Sequence, residues 1–96
     1  MDSSEIRVGQ VTLRPKAKYP SHSHPAPEIY IQISGSVEWK VGAESKVIDT
    51  LTCVNIPSNT KHSMKNLSMI NAELIYFWYA PGGDTNLLKH DATLEK

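Results

Sequence analysis

Four side chains, His22, His24, Glu28 and His62, carry the donor atoms that a divalent transition-metal ion takes from a protein, imidazole nitrogen and carboxylate oxygen. Three of them fall in one extended run. Positions 22, 24 and 28 share a parity, so on a β-strand they project to one side and offer three donors to a common point. His62 follows an apolar stretch that ends at Pro57, where the neighbouring strand of a folded-over sheet would bring in a fourth. A single buried histidine is more often a hydrogen-bonded core residue than a ligand, and His-X-His recurs by chance in flexible segments. The full spacing His-X-His-X3-Glu outweighs that reading here, because Ile29, Tyr30, Ile31 and Ile33 and then Gly35 follow it as a strand and its turn. His90 is set apart, in the polar stretch 84–96, as a solvated surface histidine.

The elements that must position these donors are strands. A first strand or pair of short strands over 6–14 is stopped by Pro15, and 16–21 leads into the ligand run. Pro25 and Pro27 remove two backbone donors between His24 and Glu28, which places that stretch at a sheet edge or a bend near a barrel mouth. Further strands are expected at 28–34, 37–41, 46–49, 51–56, 62–66 and 73–79, with a hairpin turn over 42–45 and a turn over 57–60. Helix is expected only in the tail, capped at Asp84 or Thr85, with Leu87 and Leu88 packed on the barrel.

Composition narrows the remaining classes. With 96 residues the chain makes one domain, small enough that a metal ion or a partner subunit would help its core. Ten basic and ten acidic residues balance without a basic run, so nothing points to nucleic acid or to an anionic membrane surface. The single cysteine, Cys53, excludes an internal disulfide and reads as a buried strand residue. No apolar segment is long enough to span a bilayer, and residues 1–5 lack the features of a signal peptide, so a cytoplasmic location is expected.

With those residues placed, the sequence resembles the cupins, small jelly-roll barrels with a metal site inside. Their first motif, Gly-X5-His-X-His-X3(or 4)-Glu-X6-Gly, is met by His22, His24, Glu28 and Gly35, and their second, Gly-X5-Pro-X-Gly-X2-His-X3-Asn, by Pro57, His62 and Asn66. Three motif glycines are replaced, by Lys16, Leu51 and Asn59; asparagine tolerates the left-handed backbone that glycine is used for. The resemblance covers about 11–79 and implies an all-β fold, a small double-stranded β-helix with its barrel over about 6–80. The Glu28-Ile29-Tyr30 run, Lys65-Asn66 and the late Phe77-Trp78-Tyr79 strand are also similar to the cupin lyases that cleave dimethylsulfoniopropionate. In that group a tyrosine two residues after the glutamate is implicated as the base, and Tyr30 matches it.

Three imidazoles and one carboxylate leave a divalent ion a net charge of about plus one with open positions, a Lewis acid for a small carboxylate or hydroxy compound. Mixed nitrogen and oxygen donors suit iron, manganese, zinc, nickel, cobalt or copper alike. Tyr30 shares the inward face with Glu28 and is the candidate acid or base, or else a barrel filler that orients Glu28; Gln32 continues that face as a candidate pocket residue. Trp39, Tyr76, Trp78 and Tyr79 are core or interface aromatics, any of which could line a pocket. The expected function is a metal-dependent lyase, isomerase or dioxygenase, against the alternative of a non-catalytic cupin that binds or senses a small ligand. Parity turns Ile29, Ile31 and Ile33 outward as an apolar stripe, for which a second copy of the chain is the expected cover.

Overall fold

In the computed structural model, which describes residues 6–49 and 51–80 and the backbone of 93–94, every regular element is a β-strand. They are β1 (Ile6–Leu13), β2 (Lys18–Ser23), β3 (Glu28–Gln32), β4 (Val37–Val41), β5 (Glu44–Ile48), β6 (Thr52–Ile56), β7 (His62–Asn66), β8 (Ala72–Tyr79) and β9 (Thr93–Leu94). All pairings are antiparallel. One sheet has the order β1-β8-β3-β6 and the other β5-β4-β7-β2-β9, which is the two-sheeted jelly roll that the sequence implied. Inward-facing residues of both sheets, among them Leu13, Tyr30, Val37, Trp39, Ile56, Met64 and Leu74, form the core.

The ligand run is not one strand. β2 ends at Ser23, the chain bends through 24–27, and β3 begins at Glu28 in the opposite sheet. Pro25 and Pro27 give the physical reason, since neither can donate to a ladder and a strand cannot run through both. The crossing is held from outside: the Asn59 amide donates to the His24 carbonyl at 2.8 Å, the Tyr79 amide to the Pro27 carbonyl at 3.2 Å, and the Ser58 hydroxyl to the Pro25 carbonyl. His22 and Glu28 thus converge from facing sheets, and shared parity along a single strand is not what unites them.

Two of the replaced motif glycines keep the backbone that glycine serves. Lys16 has φ 63° and Asn59 φ 56°, both left-handed, so the turns persist although the residues differ. Gly35 keeps its motif identity at φ 89°, where a Cβ would lie 2.6 Å from that of Ala72. Other expectations need correction. Cys53 is exposed and not buried, because β6 is an edge strand whose alternation turns 53 and 55 outward while Ile56 faces the core. β5 starts at Glu44, two residues before the expected strand over 46–49, since the hairpin closes with Val41 opposite Glu44. The expected tail helix lies outside the described residues, although the tail returns at Thr93–Leu94 to pair with β2.

Candidate metal centre

Each histidine is aimed by its own backbone. The Nδ1 atoms of His22, His24 and His62 lie 2.8, 2.7 and 2.8 Å from the carbonyl oxygens of Pro20, Ala26 and Thr60. A carbonyl can only accept, so each Nδ1 carries a proton, and in the neutral form of each ring the lone pair is on Nε2, turned the other way. A bond of this kind at the far ring nitrogen fixes the tautomer and orientation of a histidine that ligates a metal. Cross-strand register supplies the rest: His22 pairs directly with His62 between β2 and β7, their rings 4.0 Å apart.

Those lone pairs meet a carboxylate. Glu28 Oε1 lies 3.0 Å from His24 Nε2 and 3.2 Å from His62 Nε2, while its Oε2 accepts a 2.6 Å bond from the Trp78 indole. Trp78 stands opposite Glu28 in the β3–β8 register and stacks on His24 at 4.1 Å. All four ligand residues are buried, and one potential ligand atom from each lies within 4.8 Å of the others. His62 Nε2 has no aligned hydrogen bond despite its nearness to Glu28, which leaves a buried polar atom without a partner. Neutral imidazole lone pairs facing a carboxylate are acceptors facing an acceptor; a cation between them removes the conflict. The donor set therefore fits a metal ion, and its nitrogen and oxygen atoms suit a divalent transition metal.

The electrostatics favour the same states. Burial lowers the His22 pKa and outweighs the opposing pull of the Pro20 carbonyl, which keeps this ring in the neutral, ligating form. For Glu28, burial alone would raise the pKa, but the Trp78 indole and the His24 and His62 side outweigh it and hold the carboxyl down at about 2, a lowering that needs a proton or a cation between Oε1 and the imidazoles. Tyr30 is pushed well above the ordinary phenol range by burial and then by the Glu28 charge, and its hydroxyl interacts with that carboxylate.

A cavity of about 260 Å³ opens beside the cluster, with Tyr19, His22, Glu28, Tyr30 and Trp78 in its wall. Tyr76 also lines it, and Gly9 makes room for that ring, since a Cβ at 9 would sit 2.2 Å from it. Gln32 is placed elsewhere. It is buried and inward as expected, but its amide donates to the carbonyls of Gly35 at 3.1 Å and Ile48 at 2.7 Å and accepts from the Trp39 indole at 2.8 Å. It does not line this cavity, because these bonds hold its amide to the opposite end of the strand. Sequence reasoning missed Arg7, which does line it; parity with Gly9, Val11 and Leu13 on the inner face of β1 was the available signal. It also left open that Trp78 holds Glu28 in place.

A jelly roll with three histidines and a glutamate gathered between its sheets defines the class. The sequence model of the cupin domain family matches residues 9–79, and the chain belongs to that family. No curated protein matches it. Among solved structures, the DMSP lyase DddQ of Ruegeria pomeroyi superposes with a TM-score of 0.81 at 24% identity, covering 96% of this chain and 44% of that one. The cupin domain of Schizosaccharomyces pombe Cnp3 gives 0.78 at 17% identity, over 83% of this chain and 59% of that one. A predicted oxalate decarboxylase of Thermotoga maritima gives 0.73 at 19%, over 78% and 67%. At these identities the likeness concerns the fold, and the chain spans about half the length of the lyase and of the Cnp3 domain structure.

Proposed function

We propose that this cupin holds one divalent transition-metal ion with His22, His24, Glu28 and His62 and is an enzyme acting on a small carboxylate or hydroxy compound. The observation that carries the reading is the convergence of the His24 and His62 Nε2 atoms on Glu28 Oε1, with His62 Nε2 buried without a hydrogen bond and each ring fixed from behind by a carbonyl. Such an ion supplies Lewis-acid or redox chemistry to a substrate oxygen. The chain's residues do the remaining work. Tyr30, in the cavity wall beside Glu28, is the acid or base that moves a proton, and in the phenol form that burial favours it is a donor. Tyr19, Tyr76 and Trp78 enclose the substrate and exclude water, and Gln32 holds the framework through Trp39 and Ile48. Similarity to structures named for DMSP and for oxalate, both small carboxylates, supports a reaction of the lyase, isomerase or dioxygenase type.

The test is elemental analysis of protein purified without a nickel column, followed by assay for acrylate release from dimethylsulfoniopropionate and for turnover of short carboxylates. Tyr30→Phe is expected to keep its metal and lose turnover. A metal-free protein after incubation with manganese, iron and zinc would overturn the centre; metal retention with full turnover in Tyr30→Phe would overturn its role. A metal-loaded protein without turnover would favour a non-catalytic, ligand-binding cupin.

We also propose a homodimer. The outer face of the four-stranded sheet is apolar: Ile29 and Ile31 lie beside Phe77 and Ile75 in register, with Val8 opposite Phe77. A second copy covering this face gives a small domain the burial it lacks alone. Light scattering should report a dimer, and Ile31→Lys a monomer. The free thiol of Cys53 suits a reducing, cytoplasmic setting.

A further inference from the structure

Arg7 is the cationic residue of the cavity wall, and the proposed metal chemistry does not use it. It lies opposite Trp78 in the β1–β8 register, on the strand face shared by Leu13, which is buried, and Val11, which packs on the core. Its guanidinium stands 4.9 Å from the centre of the Trp78 ring, and that indole binds Glu28. Among the described residues no carboxylate forms an ion pair with Arg7. A guanidinium is always charged, and resting on an aromatic face leaves its in-plane donors available.

Charge accounting gives those donors a purpose. A divalent ion with Glu28 and neutral imidazoles carries about plus one, and Arg7 adds another positive charge at the same cavity, so the space between calls for an anion. Volume limits its size: at ~30 Å³ per water, a cavity of about 260 Å³ holds roughly nine non-hydrogen atoms. Val11 and Tyr76 give part of the wall an apolar surface suited to a short hydrocarbon body.

We infer that Arg7 is the specificity-determining residue of this site, pairing with the carboxylate of a short aliphatic acid that occupies the cavity. The inference rests on the proposed metal centre being a substrate site. It makes Arg7 a binding group, recognised by a preference for anions over neutral isosteres of the same shape.

Binding of propionate and lactate, and of their neutral counterparts propionamide and lactamide, is to be followed by tryptophan fluorescence and calorimetry on the metal-loaded protein. Wild type is expected to bind the acids more tightly than the amides. Arg7→Gln should weaken the acids about ten- to a hundred-fold, the worth of a charge-assisted hydrogen bond, while amide affinity and metal content stay unchanged. Arg7→Lys should recover part of the loss. Equal weakening of acids and amides in Arg7→Gln, unchanged acid affinity, or no preference for acids in wild type would each overturn the inference. Metal content separates the two proposals: metal present with an indifferent Arg7→Gln removes only the role of Arg7, whereas absence of metal from wild type removes the centre itself.

Discussion

Glu28 and Gln32 lie on the same inner face of β3, both buried, and their surroundings are built by opposite rules. Around Gln32 donors and acceptors match: its amide hydrogens go to Gly35 and Ile48, and its carbonyl receives the Trp39 indole. Asn66 belongs to the same pattern, donating to the carbonyls of Leu13, Arg14 and Ile70 and accepting from the Ser68 amide. Around Glu28, by contrast, the Trp78 indole donates to one carboxylate oxygen and the Tyr30 hydroxyl lies near, while the other oxygen faces the Nε2 atoms of His24 and His62, the latter without a hydrogen bond. A satisfied network fixes a fold, whereas buried ring nitrogens converging on a carboxylate, one of them unpaired, keep binding capacity for a cation. The difference separates residues that hold the barrel from residues with the capacity to hold a metal ion.

The largest test of that separation is a crossed pair of variants. His22→Ala with His62→Ala should lower metal affinity by more than the roughly 100-fold that losing a residue behind a ligand typically costs, while the metal-free protein stays folded. Gln32→Ala should do the reverse. It strands the Trp39 indole and the Ile48 carbonyl and opens a void, costing about 3 kcal/mol, yet metal bound per folded molecule should be unchanged. Urea denaturation alongside elemental analysis reads both effects, and a Gln32→Ala protein that is stable but metal-free would erase the distinction.

Acid should separate the two regions next, because the titrating groups lie at the Glu28 end. The folded state holds the His22 pKa below 6.5, so the unfolded chain takes up that proton first and stability falls as pH drops below 6.5. Glu28 adds a second window. Its folded pKa of about 2 lies below the ordinary 4.5, so its contribution is whole above 4.5 and is lost between 4.5 and about 2. That second loss is on the order of 3 kcal/mol. Urea midpoints of the metal-free protein against pH should show both steps, and Glu28→Gln should lack the lower one.

The same variant sharpens the comparison at neutral to alkaline pH. Glu28→Gln turns an acceptor into a donor facing His24 and His62 and leaves an oxygen for the Trp78 indole. At pH 8 the metal-free variant should lose up to about 3 kcal/mol, the contribution that the ionised carboxylate makes there, while binding metal far more weakly. Calorimetric melting with and without manganese measures both. Unchanged metal-free stability would mean that the neighbours of Glu28 do not hold its carboxylate in the ionised form.

Much of this was legible in the sequence because ligand type and fold class are local signals. His22, His24, Glu28 and His62 are gathered as their spacing implied, and strand alternation with turn residues gave the all-β fold. What was not legible depended on which sheet a segment joins. Parity counted along 22–28 treated the run as one strand, and the two prolines, expected to mark an edge or a bend, in fact carry the chain across to the other sheet. The run 51–56 is apolar enough to look buried, and only its position as an edge strand turns Cys53 to solvent. Arg7 gave no signal by type, since an arginine in a first strand is ordinarily a surface residue; its partner Trp78 is seventy-one positions away, and their meeting depends on register.

The smallest expected effect lies at the turns, remote from either buried network. Lys16 and Asn59 occupy left-handed backbone that costs an L-residue with a long side chain roughly 1–2 kcal/mol and asparagine less. Lys16→Gly should relieve this cost but forfeit the 2.5 Å bond from Nζ to the Leu67 carbonyl and add chain entropy to the unfolded state. A net gain of about 0.5 kcal/mol is expected, read as a higher urea midpoint, and Asn59→Gly should change stability by only a few tenths. Both should leave metal affinity unaltered. Asn59 is the more demanding of the two, because its amide holds the His24 carbonyl at the point where the chain crosses between sheets. If the looser backbone of glycine there weakened metal binding without lowering the urea midpoint, the turn after Pro57 would belong to the ligand-holding region and not to the framework.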